Sequence, residues 1–281
     1  MFDNLEVDLE GLLKKNLVKS EFDWIAKAIN ETIDSASSRK LYLNYSLCNS
    51  KIEDEELSEF KSIPSHLGQY LSLKKASGRE LSRIWLLREV LENDESFVDA
   101  VKKLIEISDT AELETFLKYL TLLPNPQNYQ FAAVEALRTN IATVFDAISQ
   151  YNPYPVKFFT DQQWNQMFLK AAFMQQDLGA IANIDERANA DLARIISDYA
   201  HERWAASRTI DPLFWRPVSN FLTGTLVNDI KRLFSSENPR ENKAAALVCF
   251  NSKLTVAEDL LKEYPKLREE IKEGSLTWQT L

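Results

Sequence analysis

Apolar residues in this chain return every three or four positions in segment after segment, and a single stretch alternates as a strand would. That stretch holds Leu41, Leu43, Tyr45 and Leu47. No second strand stands ready to pair with it, and a lone strand would leave its backbone groups unsatisfied, so it too is assigned to a helix. Only six glycines occur in 281 residues. Doubly wound α/β folds spend glycine at their turns, so this scarcity points the same way. The fold class is therefore all-α, with about a dozen helices joined by short connections. Prolines recur near 124–126, 153–155, 212–217 and 239, and a rhythm of roughly one helix pair per 30–45 residues suits an α-α superhelix, a HEAT-like solenoid. A compact helical bundle is the alternative. The chain reads as one helical domain over 1–281, with loosely patterned N-terminal helices in 1–75, a helical-repeat core in 79–252 and capping helices in 253–281.

Charge and cysteine usage narrow the function. A net charge of -9 argues against nonspecific nucleic-acid binding, which needs a basic surface. Cys48 and Cys249 lie far apart with no CxxC spacing, as expected of reduced thiols in a cytoplasmic protein. The first residues are acidic and lack the apolar core of a signal peptide, and no run of about 18 apolar residues occurs, so membrane insertion is not expected.

Local signals place the helices. Leu5, Leu9, Leu12 and Leu13 form a first stripe, and Ser20 with Asp23 reads as the capping box of a second helix. Residues 52–77 carry little pattern and read as a loop with a helical turn or two. Leu81, Ile84, Trp85 and Leu91, broadened by Leu86, Leu87 and Val90, describe a helix buried on more than one side. Asp109 with Glu112, Asn125 before Pro126, Asn140, Asn189, Ser236 or Asn238 before Pro239, and Thr255 with Glu258 mark further helix starts. Residues 151–155, with two prolines, read as extended or turning. Thr160 and Gln163 open a helix that is apolar nearly all round, as expected of a central element.

Chemistry has few footholds. There is no Gly-rich phosphate loop, no GxSxG and no HExxH. His201-Glu202 begins like the last of these but lacks the second histidine. Asp198 and His201 supply only half of one di-iron pair, so no transition-metal site and no cofactor is expected, although carboxylates are plentiful enough for magnesium. Polar residues instead gather between Phe158 and Val218. At about 100° per residue, Arg203 falls on the apolar face of its helix with Leu192 and Ile196, while His201 falls opposite, with Arg194 and Asp198. A buried guanidinium needs acceptors, and Asp185, Glu186 or Glu135 could provide them as a structural ion pair. Alternatively, Arg203, Arg187 and Lys170 line a pocket for a polar or anionic small molecule. The ligand-binding candidates are Asn165, Lys170, Asp185, Glu186, Arg187, Arg203 and Arg138, the last having no evident structural task. His201 and Glu202 are the acid–base candidates, set against a reading in which His201 is simply solvated. Trp164, Trp204 and Trp215 read as packing residues and not as a ligand cage.

Several segments, taken in order, resemble the EboA-domain family: EALRTN at 135–140, NPYP at 152–155, WNQMFLKAAF at 164–173, IDERANADLAR at 184–194, DYAHERWAASR at 198–208 and LFWRPV at 213–218. Weaker echoes lie at 40–47 and 81–91. The resemblance is best over about residues 115–220, loose in the N-terminal region and slight near the C-terminus. It implies a bacterial, all-helical component of ebo gene clusters, which are associated with making or moving a small metabolite. Such clusters encode a UbiA-like prenyltransferase and several metabolic enzymes. The partners it implies are other proteins of the cluster or a small polar metabolite. It carries over no catalytic residue. Two readings follow: a non-catalytic adaptor or small-molecule-binding protein, or an enzyme acting on a polar, phosphorylated or prenylated metabolite through a His/Glu/Arg/Lys site.

Overall fold

The computed structural model describes residues 8–60 and 63–281. Among them every regular element is a helix, and the chain is all-α. The stretch 41–47 is helical, and Glu56 and Ser77 form an isolated antiparallel bridge. Leu5 lies outside the described residues. The described residues hold seventeen α-helices, more than the dozen expected, because 3₁₀ turns and prolines divide the chain into shorter pieces. The chain separates into two compact units, 1–158 and 159–281.

The first unit comprises α1 (Leu9–Asn16), α2 (Lys19–Ser35), α3 (Ser38–Lys51), α4 (Ser65–Leu73), α5 (Gly78–Asn93), α6 (Phe97–Ile107), α7 (Thr110–Tyr119), α8 (Gln130–Ala136), α9 (Ala142–Ser149) and α10 (Pro153–Phe158). Helix α5 is its axis, packed by α1, α2, α3, α6 and α7. That position follows from its sequence, since Leu81, Ile84, Trp85, Leu86, Leu87, Val90 and Leu91 are all buried. Capping boxes at Ser77–Glu80 and Asp109–Glu112 start α5 and α7. Other starts differ from expectation. Val18, not Ser20, precedes α2, and no side chain caps it. Thr139 Oγ1 accepts the Ile141 amide ahead of α9, so Asn140 is not its cap. Asn125 precedes a 3₁₀ turn at Pro126–Tyr129 rather than an α-helix and makes no side-chain cap. Pro153 stands at the start of α10, where its missing N–H costs nothing, so residues 153–158 are helical and not extended.

The second unit comprises α11 (Asp161–Phe173), α12 (Ile184–Arg187), α13 (Ala190–Ala205), α14 (Thr225–Phe234), α15 (Pro239–Asn251), α16 (Thr255–Lys262) and α17 (Pro265–Lys272), with a 3₁₀ segment at Pro212–Val218. The Thr160–Gln163 box opens α11, Asn189 caps α13 and Asn238 caps α15, as the sequence indicates. Leu254, without a side-chain cap, precedes α16 in place of a Thr255 box. Helix α15, and not α11, gathers the others: α14, α16, α17 and the Pro212–Val218 segment all pack on it. Its run Ala244–Ala246 is fully buried and lets those neighbours approach closely. In α11, Trp164, Met167, Phe168 and Ala171 are buried, whereas Phe173 is 71% exposed, so the apolar circumference is covered on one side only.

Candidate functional site

Most of the polar residues between 158 and 218 hold the short helix α12 and the start of α13. Asn165, buried on α11, and Asn189 exchange amide hydrogen bonds of 3.1 and 2.9 Å, while Asn189 Oδ1 also accepts the Leu192 amide at 2.9 Å. One side-chain pair thereby joins α11 to the cap of α13. Asp185 receives a two-pronged contact from Arg216, Nε to Oδ1 at 2.9 Å and Nη2 to Oδ2 at 2.6 Å, a geometry that suits the planar guanidinium. Arg187 Nη2 donates to the Phe159 carbonyl at 3.0 Å and to Asp161 at 3.2 Å, with the guanidinium 4.9 Å from the centre of the Trp164 ring. Glu186 accepts from Asn183, itself in the left-handed region at φ 55°. Lys170 is half-buried on α11, and burial holds its ammonium below the ordinary lysine range. In the other unit, Arg138 pairs with Glu135 at 2.9 Å, an exposed i,i+3 contact.

Arg203 is not the buried, carboxylate-paired group that helical periodicity implies. Helix α13 ends at Ala205, so its last inward-facing position is left half-covered. The guanidinium reaches past the helix end, and Nε and Nη2 both donate to the Thr209 carbonyl, at 3.2 and 2.9 Å. It also lies 5.9 Å from the Tyr199 ring centre. Among the described residues no carboxylate pairs with it, and Asp185, Glu186 and Glu135 are all engaged elsewhere.

Arg203 lines a polar recess of about 360 Å³. Gln175, Gln176, Asp211, Asn238 and Arg240 supply its other polar walls, and Tyr199, Pro212 and Phe214 part of its apolar floor. Asp211 spends one carboxylate oxygen on the Leu213 amide at 2.9 Å, and Arg240 Nε donates to the Leu281 backbone oxygen at 2.9 Å. Two guanidinium groups and one carboxylate thus line the recess. Asn165, Lys170, Asp185, Glu186 and Arg187 do not line it. In the sequence Asn238 reads only as a helix cap and Arg240 as an ordinary first-turn residue, so neither stands among the site candidates.

His201 shares the outer side of α13 with the exposed Arg194–Asp198 pair, yet it is not simply solvated. Its Nε2 lies 2.7 Å from Asp229 Oδ1, and Ser197 Oγ donates to Asp229 Oδ2 at 2.6 Å. Asp229 is only 3% exposed, so both carboxylate oxygens are satisfied where an unpartnered acid would be costly. The serine hydroxyl points to the acid and not to the histidine, so the trio lacks the order of a nucleophile relay. A signal for Asp229 was present: it falls on the same stripe as Leu226 and Leu233, where an acid must find partners. Glu202 is exposed. Trp164 and Trp215 are fully buried, and Trp204 stacks on Trp215 at 5.6 Å beneath Arg232, so the tryptophans serve packing. Among the described residues no three His, Cys, Asp or Glu side chains are grouped to hold a metal ion, and no helix is long and apolar enough to cross a membrane.

Fold and site together define an all-helical protein with a polar recess flanked by guanidinium groups. A family model described as metabolite traffic protein EboA matches residues 6–219, and the chain belongs to the EboA family. The matched span includes the N-terminal helices, where the resemblance read from motifs was loose, and it stops before α14. No curated protein and no solved structure matches the chain.

Proposed function

We propose that this protein binds a small anionic or polar metabolite without transforming it, and that the recess around Arg203 and Arg240 receives it. One observation carries the reading: two guanidinium groups line a concave polar space, and one of them, Arg203, is held by a backbone carbonyl and by no carboxylate. A fixed cation without a counter-charge suits an incoming anion, because the cost of orienting it is already met by the fold. The description of the family as metabolite traffic proteins is in keeping with such a role. A cytoplasmic location, and partners among the proteins of the same gene cluster, belong to this reading. The test compares small molecules extracted from the purified chain and from the Arg203→Ala/Arg240→Ala variant, by mass spectrometry. An anionic species retained by the first and lost from the second is the expected result. Equal retention by both, or turnover of the retained species by the chain alone, would sink the proposal.

The His201–Asp229 contact favours a second reading, in which a buried carboxylate orients a half-exposed histidine for acid–base work. It predicts that His201→Ala abolishes any turnover while leaving ligand retention intact.

A further inference from the structure

The hydrogen-bonding groups left unspent in the Arg203 recess narrow what it can receive. A guanidinium presents its five N–H groups in a fixed plane, as forks along its edges. Arg203 spends the Nε–Nη2 edge on the Thr209 carbonyl, so its Nη1–Nη2 edge is the one left for a ligand. Among the described residues Arg240 commits only Nε, to the Leu281 backbone oxygen, and its Nη1–Nη2 edge is likewise open. Asn238 accepts the Arg240 amide at 3.0 Å through Oδ1, which leaves its Nδ2 as a further donor on the same wall. One acid stands against these donors. Asp211 Oδ1 takes the Leu213 amide, and among the described residues Oδ2 has no partner. No ion pair there joins Asp211 to Arg203 or to Arg240, although all three line the recess. Asp211 and Arg240 are exposed and Arg203 is half-buried, so a solute can reach each of them. Opposite charges that share a concave space without neutralising each other leave both for a ligand to satisfy.

We infer that, if the recess is the anion site proposed above, its ligand is a hydroxylated phosphate monoester, a small polyol or sugar phosphate. The phosphate takes the two open guanidinium edges and the Asn238 amide, and a hydroxyl of the same molecule donates to Asp211 Oδ2. A carboxylate is planar and has two oxygens, so one fork already occupies it. The three terminal oxygens of a phosphate point in different directions and accept from two forks and an amide together. A second anionic group at the far end would meet Asp211 and be repelled, whereas a bare phosphate leaves that acid unanswered. The recess, at about 360 Å³, lies near the small end of the usual range for ligand sites, about 300–1,000 Å³. That size suits a compact ester and not a nucleotide or a lipid.

The test is calorimetric titration of the full chain with glycerol 3-phosphate, ribose 5-phosphate and glucose 6-phosphate. Each is set beside its unphosphorylated parent and its carboxylate counterpart (glycerate, ribonate, gluconate), and all beside inorganic phosphate. At least one ester is expected to saturate a single site, about tenfold or more tighter than inorganic phosphate and than its carboxylate counterpart. The parents should not bind. Arg203→Lys keeps the charge but loses the fork, and should weaken that ester about tenfold or more. Asp211→Asn keeps Oδ1 for the Leu213 amide and removes the second acceptor, so it should cancel the ester's advantage over inorganic phosphate while phosphate itself still binds. Circular dichroism confirms that each variant is folded. No ester bound, inorganic phosphate bound as tightly as every ester, or an advantage that survives Asp211→Asn would each overturn the inference. A carboxylate that matches its ester but is lost from the Arg203→Ala/Arg240→Ala variant would overturn it too, and would leave the anion site standing. Equal retention of extracted anions by the chain and by that double variant would remove both.

Discussion

Arg83 and Glu112 form an ion pair inside the first unit, with Arg83 Nη2 3.7 Å from Glu112 Oε1 and exposures of 2% and 6%. Arg83 Nε also donates to the Tyr45 carbonyl at 3.2 Å, and its guanidinium lies 5.3 Å from the Tyr45 ring centre. Tyr45 in turn donates to the Glu112 carbonyl at 3.0 Å, so α3, α5 and α7 meet at one polar knot. Arg83→Met should lower stability by about 3–5 kcal/mol, because it strands a buried acid. Adding Glu112→Gln, which preserves the capping box with Asp109, should recover much of that loss. Urea unfolding of the two variants checks both statements, and equal losses would show that the pair is not coupled.

Lys74 gives the first unit a pH dependence. Its ammonium is buried and donates to the Ala147 and Gln150 carbonyls at the end of α9. Burial, with a smaller contribution from the nearby Lys118, lowers its pKa from 10.5 to about 7. Between about pH 7 and pH 10.5 the unfolded chain therefore holds the proton that the folded chain has lost. Through this group stability rises with pH across that window, by an amount on the order of a few kcal/mol. The full penalty applies below about pH 7. Lys74→Met should flatten the rise, which unfolding midpoints at successive pH values would reveal. A rise of the same slope in the variant would assign it to other groups.

Ala36 follows α2 in the left-handed region at φ 46°, exposed to solvent. An L side chain is strained there and glycine is not. Ala36→Gly should raise stability by up to about 1 kcal/mol despite glycine's greater freedom when unfolded. Thermal unfolding decides the sign, and a lower midpoint would contradict it.

Asp229 and His201 should separate in energy. Asp229→Ala leaves Ser197 buried without its acceptor and should cost about 2–3 kcal/mol. His201→Ala removes a half-exposed ring and should cost less than about 1 kcal/mol. Chemical denaturation of both variants tests the order, and a reversal would make His201 the structural member of the pair.

The all-helical class was legible because apolar spacing is a local property that each segment displays on its own. Helix starts were legible where a capping residue and its partner stand three positions apart, as at Thr160 and Gln163, and less so where proline or a main-chain arrangement does the work, as at Pro153. Arg83 could have been found: a helix buried on several sides must bury its charged residues, and Arg83 lies among Leu81, Ile84 and Trp85. Periodicity pointed to Arg203 instead, because it assigns a face but cannot tell that a helix ends two residues later. The recess was illegible for a different reason: it depends on residues far apart in the chain, such as Arg203 with Arg240, whose proximity only the packed helices create.

Helix α15 lies wholly beyond the residues that the family match covers, yet the Pro212–Val218 segment, inside that match, rests on it. Phe214, Trp215 and Val218 are fully buried. A fragment cut at residue 219 would uncover the side of that segment that rests on α15 and lose the wall that Asn238 and Arg240 give the recess. Where sequence similarity stops and where the chain can be severed are thus different places, and an expression boundary drawn at the first would yield an aggregating stump.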